Sequence, residues 1–225
     1  MTRYAVYAIP GAAEGDAREA IRLRDTVETW YARDDVQDIT VDARRYGFHA
    51  TLKAPFRLAA GRTETELRAA ADAFAAERAP VVIPAPRPAE LGGFRALLPV
   101  GDESGLNALA ASAVRAFEVF RAPLDDLDVR RRRPEQLTRR QRELFERWGY
   151  PYAFDEFRFH LTLTDSVPAA RAAAIDAALD EHFADVAGID VPLTAIAISV
   201  EPEPGASFTT LSVHPFATRT AQEIA

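Results

Sequence analysis

An α+β fold of two similar lobes around a central cleft is what this sequence predicts, on three observations. The string His-x-Thr followed by an apolar residue occurs twice, in "FHATL" at 48–52 and "FHLTL" at 159–163. Each copy lies in a stretch of period-two alternation that precedes a helix-period segment, so strand and helix recur in the same order in both halves. The chain has 225 residues, 48% hydrophobic and 27% charged, enough for one bilobal domain over 1–225 with a core that needs no disulfide or metal staple. The halves are placed at roughly 1–120 and 121–225, with an Arg-rich helical seam at 121–150 between them.

The elements follow from period and punctuation. "RYAVYAI" alternates as a strand over 3–9, and the Pro10-Gly11 turn separates it from a helix over 14–33 with Ala20, Val27, Trp30 and Tyr31 on its apolar side. "HATLKAPF" reads as a strand that stops near Gly61. Thr63 and Glu66 form a capping box that opens a helix to Arg78, with Leu67, Ala70, Ala71 and Phe74 inward. Residues 80–101 suggest two strands joined at Gly92-Gly93, and a helix over 104–120 turns Leu106, Leu109, Ala113 and Phe117 inward. Thr138 with Gln141 is a second capping box, and Gly149 a C-terminal cap, for a helix over 139–148. A strand over 156–165, a helix over 168–184 opened by Pro168 and lined by Ile175, Leu179 and Phe183, and strands near 189–200 and 207–214 complete the chain.

Composition removes several chemistries. There is no cysteine, hence no disulfide framework, thiolate nucleophile or Cys-based metal site, and no His-x-His or His-Glu-x-x-His spacing. The net charge of -7 argues against a long nucleic-acid partner, while a small phosphorylated molecule needs only a local positive pocket. "MTRYAVYAIPG" lacks the parts of a signal peptide and no stretch has the length of a membrane span, so a cytoplasmic protein without a membrane partner is expected. No feature of the sequence addresses oligomeric state.

On each His-x-Thr strand, alternate side chains share a face. Phe48, Ala50 and Leu52 then point to the core while Arg45, Gly47, His49, Thr51 and Lys53 point away. In the second copy Phe157, Phe159, Leu161 and Leu163 are inward, with Arg158, His160, Thr162 and Thr164 opposite. Cleavage of a phosphodiester needs a base, an acid and donors to the phosphoryl oxygens. His49 and His160 can be the first two near neutral pH, Thr51 and Thr162 the donors, and Lys53 or Arg158 can offset the phosphate charge, with no metal or other cofactor. Tyr46 and Tyr150 are candidates to stack on a base or sugar, or to be packing residues. His182, in the last turn of a helix, reads as a dipole-capping residue, and His214 has only its strand parity to place it in the cleft. The run Arg130 to Arg133 reads as a solvated segment paired with Asp125, Asp126 and Asp128.

"FHATL" and "FHLTL" resemble the paired signatures of the 2H phosphoesterase superfamily. The longer strings "RYGFHATLKAPF" and "RWGYPYAFDEFRFHLTLT" resemble its branch encoded beside carbon-phosphorus lyase genes and named for phosphonate metabolism. The resemblance covers nearly the whole chain. It implies antiparallel sheets with flanking helices in two pseudo-symmetric lobes, and metal-independent hydrolysis of a cyclic phosphodiester. His49 and His160 would be the acid/base pair, and Thr51 and Thr162 the phosphate donors. The implied substrate is a small ribose cyclic phosphate, whose second phosphate Arg44, Arg45 or the 130–133 run could meet. The alternatives are a 2',3'-cyclic nucleotide or RNA-terminal cyclic phosphodiesterase, and a non-catalytic module that binds a phosphorylated metabolite.

Overall fold

Strand β1 (Arg3–Ala8) sits at the centre of a four-stranded antiparallel sheet, between β2 (Ala50–Phe56) and β8 (Ala195–Glu201), with β9 (Thr209–Pro215) outside β8. This computed structural model describes residues 1–125, 128–130 and 133–217. A second antiparallel sheet joins β4 (Arg87–Leu91), β5 (Phe94–Leu98) and the two-residue β6 (Leu161–Thr162), and β3 (Val81–Ile83) pairs with β7 (Val191–Leu193). The expected α+β class with antiparallel sheets and helices is observed. Its division differs from the expected halves: each of the three sheets combines strands from both sides of residue 120. The order of elements repeats along the chain, while the backbone hydrogen bonds that complete each sheet come from both sides of residue 120.

The helices are α1 (Arg18–Tyr31), α2 (Val41–Tyr46), α3 (Glu64–Ala76), α4 (Ser104–Phe117), α5 (Arg139–Trp148) and α6 (Ala169–His182). Both capping boxes form: Thr63 Oγ1 accepts from the Glu66 amide at 3.2 Å, and Thr138 Oγ1 from the Gln141 amide at 3.1 Å. Gly149 closes α5 in the left-handed region at φ 74°, donating to the Phe145 carbonyl at 2.8 Å. Gly92 and Gly93, at φ 59° and 93°, make the β4–β5 hairpin turn. Helices α3 and α4 pack on the four-stranded sheet, and one apolar core runs from Val6 and Leu52 through Leu67, Leu106 and Phe117 to Phe159, Leu161 and Phe183.

The expected strand over 156–165 contracts to β6, preceded by a 3-10 turn at Phe154–Glu156. Side chains of α1 take up what a neighbouring strand would have bonded. The Tyr31 hydroxyl donates to the Thr162 carbonyl at 2.6 Å, and Trp30 Nε1 to the Leu163 carbonyl at 3.0 Å. The amides of Leu163 and Thr164 both donate to the Arg95 carbonyl. Because Trp30 is fully buried, its N–H is an obligatory partner for that carbonyl. Trp30→Phe is expected to lower unfolding free energy by about 1–3 kcal/mol, the cost of leaving a buried carbonyl without its donor. Urea denaturation would measure it, and an unchanged midpoint would contradict this anchoring role.

Candidate phosphate-binding cleft

The two His-x-Thr copies share a local device. Helix α2 ends at Gly47, whose φ of 73° turns its carbonyl back so that it accepts from His49 Nδ1 at 2.9 Å. His160 Nδ1 meets the Arg158 carbonyl, again two residues earlier, at 2.7 Å. A carbonyl can only accept, so Nδ1 carries the proton in both rings and Nε2 keeps its lone pair. The Thr51 hydroxyl donates to His49 Nε2 at 3.2 Å. The His49 ring stacks on Tyr7, centroids 3.8 Å apart and planes at 27°, while His160 tilts against Phe94 at 5.6 Å.

Both imidazoles line one cavity of about 390 Å³, together with Thr51, Thr162, Tyr46 and Tyr150. That volume suits a small metabolite. Asp165, which follows the second motif, ties the two walls together. Its amide donates to the Ile39 carbonyl at 2.6 Å, and its carboxylate accepts from the amides of Asp42 and Ala43 at 3.0 and 2.9 Å, capping the first turn of the helix that leads into His49. Desolvation lowers the His49 pKa to about 4, assisted by the nearby His160 and opposed by the Gly47 carbonyl. Desolvation also lowers His160, opposed by the Arg158 carbonyl. Both rings are therefore neutral at pH 7 in the empty cleft. Across a bound group, one such imidazole can accept a proton while the other, once protonated, donates one.

Lys53 and Arg158, expected on the cleft face, do not line the cavity. The β1–β2 ladder is irregular here: Tyr7 pairs with Thr51 and Val6 with Lys53, so β2 advances two residues against one. Lys53 therefore lies opposite a core residue, 2% exposed, bonded to Glu118 and 3.5 Å from the Val114 and Trp148 carbonyls. Arg158 precedes β6, is exposed, and contributes its carbonyl to His160 rather than its charge to the cavity. Arg44 donates to the Thr40 and Gln37 carbonyls, and Arg45 is paired with Asp42 and Glu201. Arg130 and Arg133 do not line the cavity, and 131 and 132 lie outside the described residues.

His182 Nε2 donates to the Thr26 carbonyl at 2.9 Å, and the ring stands edge-on to Trp30, away from the cleft. His214 is buried between Asp72 at 2.6 Å and Ser212 at 2.8 Å, where it fastens α3 to β9. Arg3, Tyr7 and Asp165 are among the cavity residues that the sequence pattern did not point to. The alternation of "RYAVYA" places Arg3 and Tyr7 on one face, but a strand flanked by partners on both sides gives no signal for which face meets the cleft.

Residues 51–209 match the family described as "Protein of unknown function (DUF1045)". The chain belongs to the DUF1045 family. The match includes Thr51, His160 and Thr162 and begins two residues after His49. This DUF1045 chain is also similar to two curated proteins named "Ribose 1,5-bisphosphate phosphokinase PhnN". The one from Janthinobacterium sp. (strain Marseille) is 42% identical over 185 residues, 80% of this chain and 41% of the relative. The one from Laribacter hongkongensis (strain HLHK9) is 37% identical over 216 residues, 92% of this chain and 50% of the relative. The chain thus spans half or less of the length of these relatives. Their names correct the expectation of a cyclic phosphodiesterase: they denote a kinase, a phosphoryl transferase, and not a hydrolase that opens a cyclic phosphodiester.

The tautomer and charge state assigned to His49 can be read directly. In ligand-free protein, nitrogen-15 NMR should find His49 neutral with its proton on Nδ1 from pH 7 down to about pH 4. The folded value lies below the ordinary 6.5, so the unfolded chain takes up the proton first, and stability falls as pH drops from 6.5 toward 4. An imidazolium signal from His49 at pH 6 would contradict the assignment.

Proposed function

We propose that the cleft binds a small phosphorylated ribose, with a phosphoryl group held between His49 and Thr51 on one wall and His160 and Thr162 on the other. The observation that carries this reading is the paired geometry: two imidazoles of the same tautomer, each followed two residues on by a threonine, line one metabolite-sized cavity. The relatives' names support the ligand class, since both are named for a ribose bisphosphate. From the 2H resemblance the reading keeps the pairing of the two motifs across one cleft, without its hydrolytic activity.

The reading concerns the sugar phosphate and not a nucleotide. Within these 225 residues there is no Gly-x-x-x-x-Gly-Lys-Ser/Thr loop of the kind that cradles nucleotide phosphates, and the one lysine is Lys53, which is buried on Glu118. The threonine hydroxyls donate to phosphoryl oxygens, and the imidazoles become donors when the anion arrives. A phosphoryl charge near His49 and His160 raises both pKa values from their depressed state, so binding draws protons in.

Calorimetry with ribose 5-phosphate tests this. Affinity is expected to strengthen from pH 8 to pH 5.5 with net proton uptake, and the double replacement Thr51→Val with Thr162→Val to weaken it by roughly 10- to 100-fold, about 0.7–1.4 kcal/mol for each of the two hydrogen bonds lost. Absence of binding by the wild-type protein across that pH range would overturn the reading.

A further inference from the structure

The cavity has a charged end that the two motifs do not account for. Arg3 is the one lysine or arginine lining it among the described residues. Its Nε is bonded to the carboxylate of Glu201, whose side chain is fully buried and also meets Arg45 at 3.5 Å and the Gly205 amide at 3.1 Å. Burial alone would raise the Glu201 pKa, but the bond from Arg3, the Gly205 amide and the charge of Arg45 outweigh it and hold the carboxylate ionised. One carboxylate is thus divided between two guanidinium groups. The further partner of Arg45 is Asp42, at 3.0 Å, which is largely exposed and screened by water. A guanidinium carries five N–H donors, more than Glu201 and the neighbouring Tyr46 hydroxyl take up.

Arg3 and Tyr7 are four residues apart on β1, on the same face, at about 3.3 Å per residue or about 13 Å between Cα atoms. Tyr7 stacks on His49, so the strand sets the Arg3 end of the cavity a fixed span from the imidazoles. Tyr7 itself is 1% exposed, and its hydroxyl is the one buried side-chain polar atom without a hydrogen-bond partner among the described residues. A buried phenol lacking its partner costs stability unless a ligand supplies one.

We infer that the cleft carries a second anion subsite at Arg3 and takes a ribose bearing two phosphoryl groups, one at the paired His-x-Thr strands and one on the Arg3 guanidinium, with the Tyr7 hydroxyl bonding to the ligand between them. The inference rests on the phosphorylated-ribose reading above. Glu201 is the positioning residue: it fixes the guanidinium and leaves its remaining donors for a planar, bidentate grip on phosphate.

The test is equilibrium binding of ribose 1-phosphate, ribose 5-phosphate and ribose 1,5-bisphosphate to the full chain and to Arg3→Gln and Tyr7→Phe. Wild type should bind the bisphosphate at least 10-fold more tightly than either monophosphate, and Arg3→Gln should reduce that advantage to under 3-fold. Tyr7→Phe should weaken the bisphosphate about 5-fold or more without lowering the melting temperature, because the atom removed has no partner in the free protein. If Arg3→Gln does not fold, the wild-type Arg3 Nε–H resonance decides: it should shift on adding bisphosphate by more than with ribose 1-phosphate. Equal affinity for one and two phosphoryl groups, an advantage that survives in Arg3→Gln, or an unmoved Arg3 resonance would overturn the subsite while leaving the phosphorylated-ribose reading in place. Failure of wild type to bind any of the three would overturn both.

Discussion

Each imidazole in the cleft is held by one hydrogen bond to its own backbone, from Nδ1–H to the carbonyl two residues earlier, and the chemistry of the cavity depends on that bond. It costs no second side chain, it selects the tautomer, and it recurs in both motifs although the flanking structure differs. His49 follows a helix that ends at Gly47, whereas His160 follows an extended segment after a 3-10 turn. Desolvation then makes both rings neutral until an anion enters. Charge and shape of the ligand are thereby coupled to protonation, a property of neither histidine alone.

What brings the motifs together is crossing of the chain rather than the packing of two finished halves. β2 leads its motif into the sheet completed by β8 and β9, and β6 leads its motif into the sheet begun by β4 and β5. Three anchors then hold the second motif in place: Trp30 and Tyr31 of α1 on the carbonyls of Leu163 and Thr162, and Asp165 on the first turn of α2, the helix that leads into the first motif. The Trp30 and Tyr31 contacts are made by buried or half-buried groups, where geometry is most strictly enforced.

Much of this was legible in the sequence, and the exceptions have physical causes. Thr63, Thr138, Gly92 and Gly149 act where they stand because capping and turn chemistry is local. Phe159, Leu161 and Leu163 turn inward as their alternation requires. Lys53 does not obey its alternation, because a ladder irregularity turns it toward α4, and irregularities of this kind depend on the partner strand. Arg3 was hidden for the opposite reason: its alternation is regular, but β1 is flanked by strands on both sides and Arg3 gains its meaning from Glu201, 198 residues away. The length of β6 was illegible because side chains of α1 do the work of a strand. Function was the least legible: the residues pointed to phosphate, while the relatives' names turned the expected hydrolysis of a cyclic ester aside.

The central claim is that both His-x-Thr motifs grip the same phosphoryl group, and a crystal structure of the protein soaked with ribose 5-phosphate near pH 6 tests it most directly. The account places a phosphorus atom between the two imidazoles, with Nε2 of His49 and of His160 and the hydroxyls of Thr51 and Thr162 within hydrogen-bond distance of its oxygens. A phosphoryl group bound by one motif only, or seated outside the cavity they share, would contradict it.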